Sequence, residues 1–237
     1  MKSKFFLAMA MVFLISIFGC GGTDTDNNGE DALIYYNFDE YNDGDVPSDW
    51  FFVDEAKADT LGPSDWSIAS KQLYQASKIG GTDTTFTETD TTQNLYGTFA
   101  YVGNQDWTDY VFEAKFKAVD NNGLGFIFRH STTEDGKHVF YRFLMVNDKL
   151  FGGECFRLDY YDGEEYHLIK KTDRLSFDMN TTYNMKIEVY GTLIKVYRNE
   201  WLCMELNDVS LSKGNVGLFC MANKAYFDDI KVTAYGY

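Results

Sequence analysis

From Leu33 to the C-terminus, apolar and polar side chains alternate in steps of two, and short segments rich in Asp, Asn and Gly interrupt the alternation. Period two sends successive side chains to opposite faces of an extended chain, whereas a helix repeats near 3.6 residues. Candidate strands fall at 34–38, 66–75, 97–102, 110–119, 124–130, 139–146, 155–161, 166–170, 183–190, 193–198, 201–206, 215–221 and 225–234, and no segment reads as a helix. Asp120-Asn121-Asn122-Gly123, Glu134-Asp135-Gly136, Asp162-Gly163 and Tyr190-Gly191 supply turn chemistry between them. The Thr-rich stretch 82–92 reads as a loop. Many short strands without intervening helices imply an all-β fold of two packed antiparallel sheets.

Composition supports one ordered domain. The 237 residues include 20 Phe, 17 Tyr and 4 Trp but only two prolines, Pro47 and Pro63, and 45% of the chain is apolar. Aromatic and β-branched residues suit a pleated, half-buried surface. A formal net charge of −15 argues against nucleic acid as a partner and against adhesion to an anionic membrane surface, since both demand clustered Lys and Arg.

The N-terminus has a separate purpose. Lys2 and Lys4 precede an apolar run of fourteen residues, 5–18, broken only by Ser16 and closed by Gly19-Cys20. That run is short for a bilayer span. Its ending resembles the lipobox of bacterial lipoprotein signal peptides, which implies a signal peptide at 1–19 and an acylated Cys20. An ordinary secretory signal or an uncleaved anchor is the competing reading. Residues 20–31 carry no large apolar side chain and read as a flexible linker, leaving 32–237 as the folded domain. In a Gram-negative cell, Gly21 after the acylated cysteine resembles the outer-membrane sorting pattern, so the expected address is the cell envelope, with membrane contact through lipid alone.

Seven short motifs carry a further resemblance. They are Gly62-Pro63-Ser64-Asp65-Trp66-Ser67, Leu73-Tyr74-Gln75, Asp106-Trp107-Thr108-Asp109-Tyr110, Gly125-Phe126-Ile127-Phe128-Arg129, Tyr141-Arg142-Phe143, Gly217-Leu218-Phe219 and Phe227-Asp228-Asp229-Ile230. In this order, over roughly 33–232, the chain resembles the concanavalin A-like, laminin-G-like jelly-roll domains of secreted bacterial proteins. The resemblance implies a curved front sheet on which relatives bind or cleave carbohydrate, without by itself fixing an activity.

Catalytic motifs are sparse. Laminarinase-type relatives carry Glu-x-Asp-x-x-Glu, which puts nucleophile and acid on one strand face. This chain lacks that triplet; its nearest passage holds Glu154 and Asp159 five residues apart, on opposite faces of an ideal strand. There is no Gly-x-Ser-x-Gly elbow and no His-Glu-x-x-His. His130, His138 and His167 are scattered and read as surface or hydrogen-bonded residues rather than metal ligands.

Recognition residues are easier to place. Leu124, Phe126 and Phe128 should face the core, as should Tyr141, Phe143 and Met145, and Phe156, Leu158 and Tyr160. The opposite sets carry Arg129, Arg142, Arg157, Asp159 and Tyr161, so three of the five arginines are expected on one outward face. Arginine forks bind carboxylates, sulfates or paired hydroxyls, and Tyr or Trp rings stack on sugars. Trp107 either adds a stacking platform or packs on the sandwich edge. A network in which the acids neutralise these arginines without any ligand is an equal alternative.

Jelly-roll relatives often join their terminal strands through calcium, which the resemblance places here on Asp39 and Asp229. A solvated acidic turn competes with it. Three cysteines remain after Cys20; Cys203 and Cys220 lie on successive strands, yet alternation points them to opposite sides, leaving free thiols as plausible as one bridge. The expected protein is a monomeric envelope lipoprotein that binds glycan without catalysis and needs no cofactor. The alternatives are a polysaccharide-processing enzyme using Glu154 or Asp159, and a structural envelope protein.

Overall fold

The computed structural model describes residues 32–58, 62–82, 94–147 and 153–236, so Cys20, the leader and linker, and all of the Thr-rich segment but Thr82 lie outside the described residues. The strands are β1 (Ala32–Tyr36), β2 (Phe51–Asp54), β3 (Trp66–Ala69), β4 (Gln72–Gln75), β5 (Gly81–Thr82), β6 (Leu95–Tyr96), β7 (Thr98–Val102), β8 (Tyr110–Ala118) and β9 (Gly123–Thr132), followed by β10 (His138–Val146), β11 (Cys155–Tyr161), β12 (Tyr166–Asp173), β13 (Thr182–Tyr190), β14 (Leu193–Arg198), β15 (Trp201–Asn207), β16 (Asn215–Met221) and β17 (Ala225–Ala234). Among the described residues there is no helix.

Sheet A has the order β15-β14-β13-β8-β17-β4-β3, with β1 also paired to β17; sheet B has the order β12-β11-β10-β9-β16-β7-β2. The two sheets pack face to face, as the alternation requires. β8 shows the pattern cleanly, every second residue buried and those between half-exposed. Phe112 and Phe116 of sheet A meet Phe126 of sheet B, with centroids 4.4 and 4.6 Å apart. Burying each such ring stabilises the fold by roughly 1.5–3 kcal/mol.

Sheet B departs from simple alternation because both of its faces are covered. β9 and β10 are buried almost throughout. Its outer face carries a second apolar cluster of Phe99, Ile127, Phe140, Leu144, Phe219 and Met221, roofed by Ala58, Ile79, Leu95 and Tyr96. The roof is the β5–β6 pair, the segment at Ile79 that leads into it, and the turn after β2 that carries Ala58. It sits so close that a Cβ at Gly97 would fall 2.1 Å from the carbonyl oxygen of Cys220.

Several elements differ from expectation. The run 66–75 is a hairpin, because Ser70 and Lys71 adopt φ of +56° and +60° and turn the chain between β3 and β4. Neither residue signals such a turn, which usually uses Asn or Gly. β2, β5 and β6 are too short or too irregular to stand out as alternation.

Candidate functional site

The outer face of sheet B presents a nearly continuous row of rings across its strands. Phe51 of β2 stacks on Tyr101 of β7 at 5.1 Å, and Tyr101 meets His130 of β9 at 4.1 Å. His130 stacks on His138 of β10 at 5.1 Å. Phe140 then meets Tyr161 of β11 at 5.1 Å, which meets Tyr166 of β12 at 4.6 Å. Register explains the row: Phe51 opposes Tyr101, Phe140 opposes Tyr161 and Tyr161 opposes Tyr166. Gly217 opposes both Tyr101 and Ile127, leaving a gap in the middle. Six strand-to-strand steps separate β2 from β12, about 29 Å at the usual sheet spacing.

His130 and His138 form the polar centre of this row. Nε2 of His130 lies 2.9 Å from Nδ1 of His138, one ring donating to the other. Burial, and then the neighbouring imidazole, push His130 down to about 3, and burial lowers His138 as well. Both rings are therefore neutral near pH 7. Nδ1 of His130 is buried without a partner, whereas His138 is half-exposed. Sequence reasoning missed this pair, whose signal was the short turn at 133–137 that returns position 138 beside 130.

The roofed half of the face holds a charged network. Asp159 accepts from Nη2 of Arg142 at 2.8 Å and from Nε of Arg157 at 2.9 Å; Arg157 also donates from Nη2. Arg142 donates to the Leu95 carbonyl in the roof and stacks 3.5 Å over the Tyr166 ring. Tyr166 donates to Glu55, which also accepts from the Gly97 amide at 2.6 Å. Burial pushes Glu55 up to about 7, although Arg142 and the two donors pull the other way.

Arg142, Arg157, Asp159 and Tyr161 thus share the expected face of sheet B, but the first three are buried and paired rather than presented to solvent. Arg129 requires a correction. A β-bulge sets Arg129 and His130 together opposite Phe140, with Arg129 at φ +50°, so the alternation reverses there. Its side chain leaves the outer face and donates to the carbonyls of Leu211 (2.9 Å), Thr108 (3.1 Å) and Gly191 (2.7 Å), bracing the end of the sandwich.

Trp107 packs against the core, 6.4 Å from Tyr110, and also lines a surface hollow with Phe51 and Tyr101. β1 and β17 are neighbours, yet Asp229 accepts from Tyr35 at 3.0 Å and pairs with Lys115, while Asp39 accepts from Asn37 at 3.2 Å. A different trio, Asp162, Glu165 and His167, converges at the β11–β12 turn. Burial pulls Asp162 upward, but hydrogen bonds from the Glu165 and Glu164 amides and from His167 hold it at about 2. Glu154 is exposed and Asp159 fully buried, so they are not a catalytic pair. Cys155, Cys203 and Cys220 are free thiols, which leaves no Cys203–Cys220 bridge.

Residues 40–233 match the 3-keto-alpha-glucoside-1,2-lyase-like domain. The chain belongs to this family. As a 3-keto-alpha-glucoside-1,2-lyase-like domain it has a sandwich fold shared with several solved structures. The carbohydrate-binding module CBM66 from Bacillus subtilis is 18% identical with a TM-score of 0.50, over 78% of this chain and 96% of its own. A Bacillus subtilis protein of unknown function with a galectin-like fold is 14% identical with a TM-score of 0.56, over 78% and 89%. The Bacillus licheniformis β-glucanase is 14% identical with a TM-score of 0.52, over 85% and 98%. These likenesses show the fold alone, a two-sheet antiparallel β-sandwich consistent with the concanavalin A-like fold that the sequence motifs resemble. No curated protein matches this 3-keto-alpha-glucoside-1,2-lyase-like domain in sequence.

Proposed function

We propose that this domain binds carbohydrate on the outer face of sheet B, at the open end of the ring row around Phe51, Tyr101, His138 and Tyr161. The observation that carries the reading is the neutral His130–His138 pair set among aromatic rings, with Phe51 59% exposed and His138 half-exposed beside it. Aromatic faces cover the C–H side of a sugar ring, while imidazole nitrogens exchange hydrogen bonds with its hydroxyls. Membership of the lyase-like family supports a sugar ligand. The buried, neutralised arginines do not contribute ion pairs, so stacking and neutral hydrogen bonds supply the affinity. The mature chain is held at the cell envelope by lipid on Cys20; metabolic labelling with a lipid analogue tests this, and label retained in Cys20→Ala would refute it.

A catalytic reading rests on His138 itself, a neutral, half-exposed imidazole whose Nδ1 is fixed by His130. In a 3-keto-glycoside the C2 proton is acidic because it adjoins the carbonyl. His138 would accept that proton, the C2–H electrons would form the C1–C2 double bond, and the C1 substituent would leave with its bonding pair. One experiment separates the readings: a glycan array, with 3-keto-glucosides included, scored for retention and for released product. Retention lost in His138→Asn without any product supports binding alone. Product formation abolished by His138→Asn supports elimination. No retention and no product would refute both.

A further inference from the structure

The geometry points to a second sugar subsite, built for one non-acidic sugar unit, in the hollow at the β2–β7 edge of the ring row. This inference rests on the carbohydrate reading above. The hollow is walled by Tyr36, Asp49, Phe51, Tyr101, Asn104 and Trp107, with Asn215 also at its margin. Phe51 and Tyr101 belong to the row as well, so a glycan lying across sheet B would deliver its last unit here.

Its ring wall is fixed in place. Trp107 is partly buried against the core, its backbone amide donates to the Asn104 carbonyl at 3.2 Å, and its own carbonyl accepts from Gly214 at 3.0 Å. Gly103, at φ +113°, lets the indole fold over the chain, since a Cβ there would lie 2.3 Å from the Trp107 ring. Trp107, packed on the core, and Tyr101, in ring contact with Phe51 and His130, lose little side-chain entropy when a ligand arrives.

The polar groups are each held by one bond and keep another site open. Tyr36 donates to Oδ2 of Asp49, and Oδ1 has no hydrogen bond among the described residues. Oδ1 of Asn104 accepts from the Asp106 amide at 2.9 Å, orienting its Nδ2 as a donor. Nδ2 of Asn215 donates to the His130 carbonyl at 3.1 Å, orienting its Oδ1 as an acceptor. Two acceptors and one donor beside the Phe51, Tyr101 and Trp107 rings match a hydroxyl-bearing sugar, each of whose hydroxyls both donates and accepts.

Charge decides the ligand class. Among the described residues Asp49 is the one carboxylate on the walls, and no Lys, Arg or His lines the hollow. The nearby Lys213 is engaged with Asp106 at 2.6 Å. A uronate or sulfated sugar would bring its anion to Asp49 with no cation to receive it.

Calorimetric titration of the full mature chain with methyl α-D-glucoside, D-glucosamine and D-glucuronate tests this directly. The expected result is binding of the first two, with D-glucuronate weaker by at least about tenfold. Asn104→Ala should weaken the glucoside by about fivefold or more, the effect of losing one oriented hydrogen bond. Asp49→Asn should narrow the gap between glucoside and glucuronate; both positions are exposed, so neither change threatens folding. Unchanged glucoside affinity in both variants, with loss in His138→Asn, would overturn the hollow and leave the carbohydrate reading intact. Equal affinity for glucuronate in the wild type would overturn the assigned class. Failure of these probes and of every longer glycan would overturn both inferences together.

Discussion

Arg142 and Asp159 oppose each other directly across β10 and β11, with Nη2 2.8 Å from Oδ2 and both side chains fully withdrawn from solvent. Arg157 completes the neutralisation from the same side, so the acid is shared by two guanidinium groups. The network joins the sheet to its roof through the Leu95 carbonyl and stands beneath the apolar cluster, which makes it a structural fixture rather than an anion receptor.

Removing one partner of such a pair leaves an uncompensated buried charge. Asp159→Ala should cost about 3–5 kcal/mol in denaturant unfolding. A double variant, Arg142→Met with Asp159→Leu, should cost clearly less than the sum of the two single changes, because each single change leaves the other member of the Arg142–Asp159 pair as an unmatched buried charge and the double change removes both. Additive losses would show that the pair is not coupled.

Glu55 gives the fold a pH dependence of known sign. Its pKa is pushed up to about 7 by burial, above the 4.5 of an ordinary glutamate. Below 4.5 it is protonated in both states and its contribution is complete; as pH rises from 4.5 through 7, the unfolded chain ionises first and stability falls. The expected loss is on the order of 3 kcal/mol. Glu55→Gln should flatten this part of the stability profile, and an unaltered slope would contradict the assignment.

His130 slopes the other way. Burial holds its pKa near 3 in the fold, so from about 6.5 downward the unfolded chain takes up a proton that the native state refuses, and stability falls with pH. The imidazole resonances of His130 should not titrate between pH 8 and 5. A midpoint near 6.5 would mean that the ring is solvated.

Arg129 should behave as a brace. Arg129→Met removes donors to three loop carbonyls and leaves them unpaired, which should lower stability by about 3 kcal/mol or more. Sugar affinity, measured well below the unfolding transition, should be unchanged. Loss of affinity at full native population would return Arg129 to the binding face.

The fold was legible because alternation survives in nearly every long strand: Phe126, Phe143 and Leu158 all face the core as their spacing requires. What failed was local. Alternation cannot register the extra residue at the bulge, so it aimed Arg129 outward and gave no warning that His130 and His138 would touch. Nor does it distinguish an outer face open to water from one roofed by a distant segment; Leu95 and Ile79 cover Arg142 and Phe219 through contacts that no local pattern encodes. Phe51, the most exposed ring of the row, lies on a four-residue strand without a clear period.

We propose that the rings at the open end of sheet B hold carbohydrate. The most direct test is glycan affinity of Phe51→Ala beside the wild type, since Phe51 is 59% exposed and its truncation spares the core. A loss of severalfold to about tenfold is expected, the scale of one lost aromatic stacking contact, at an unchanged unfolding midpoint. Wild-type affinity in Phe51→Ala, and again in His138→Asn, would contradict it.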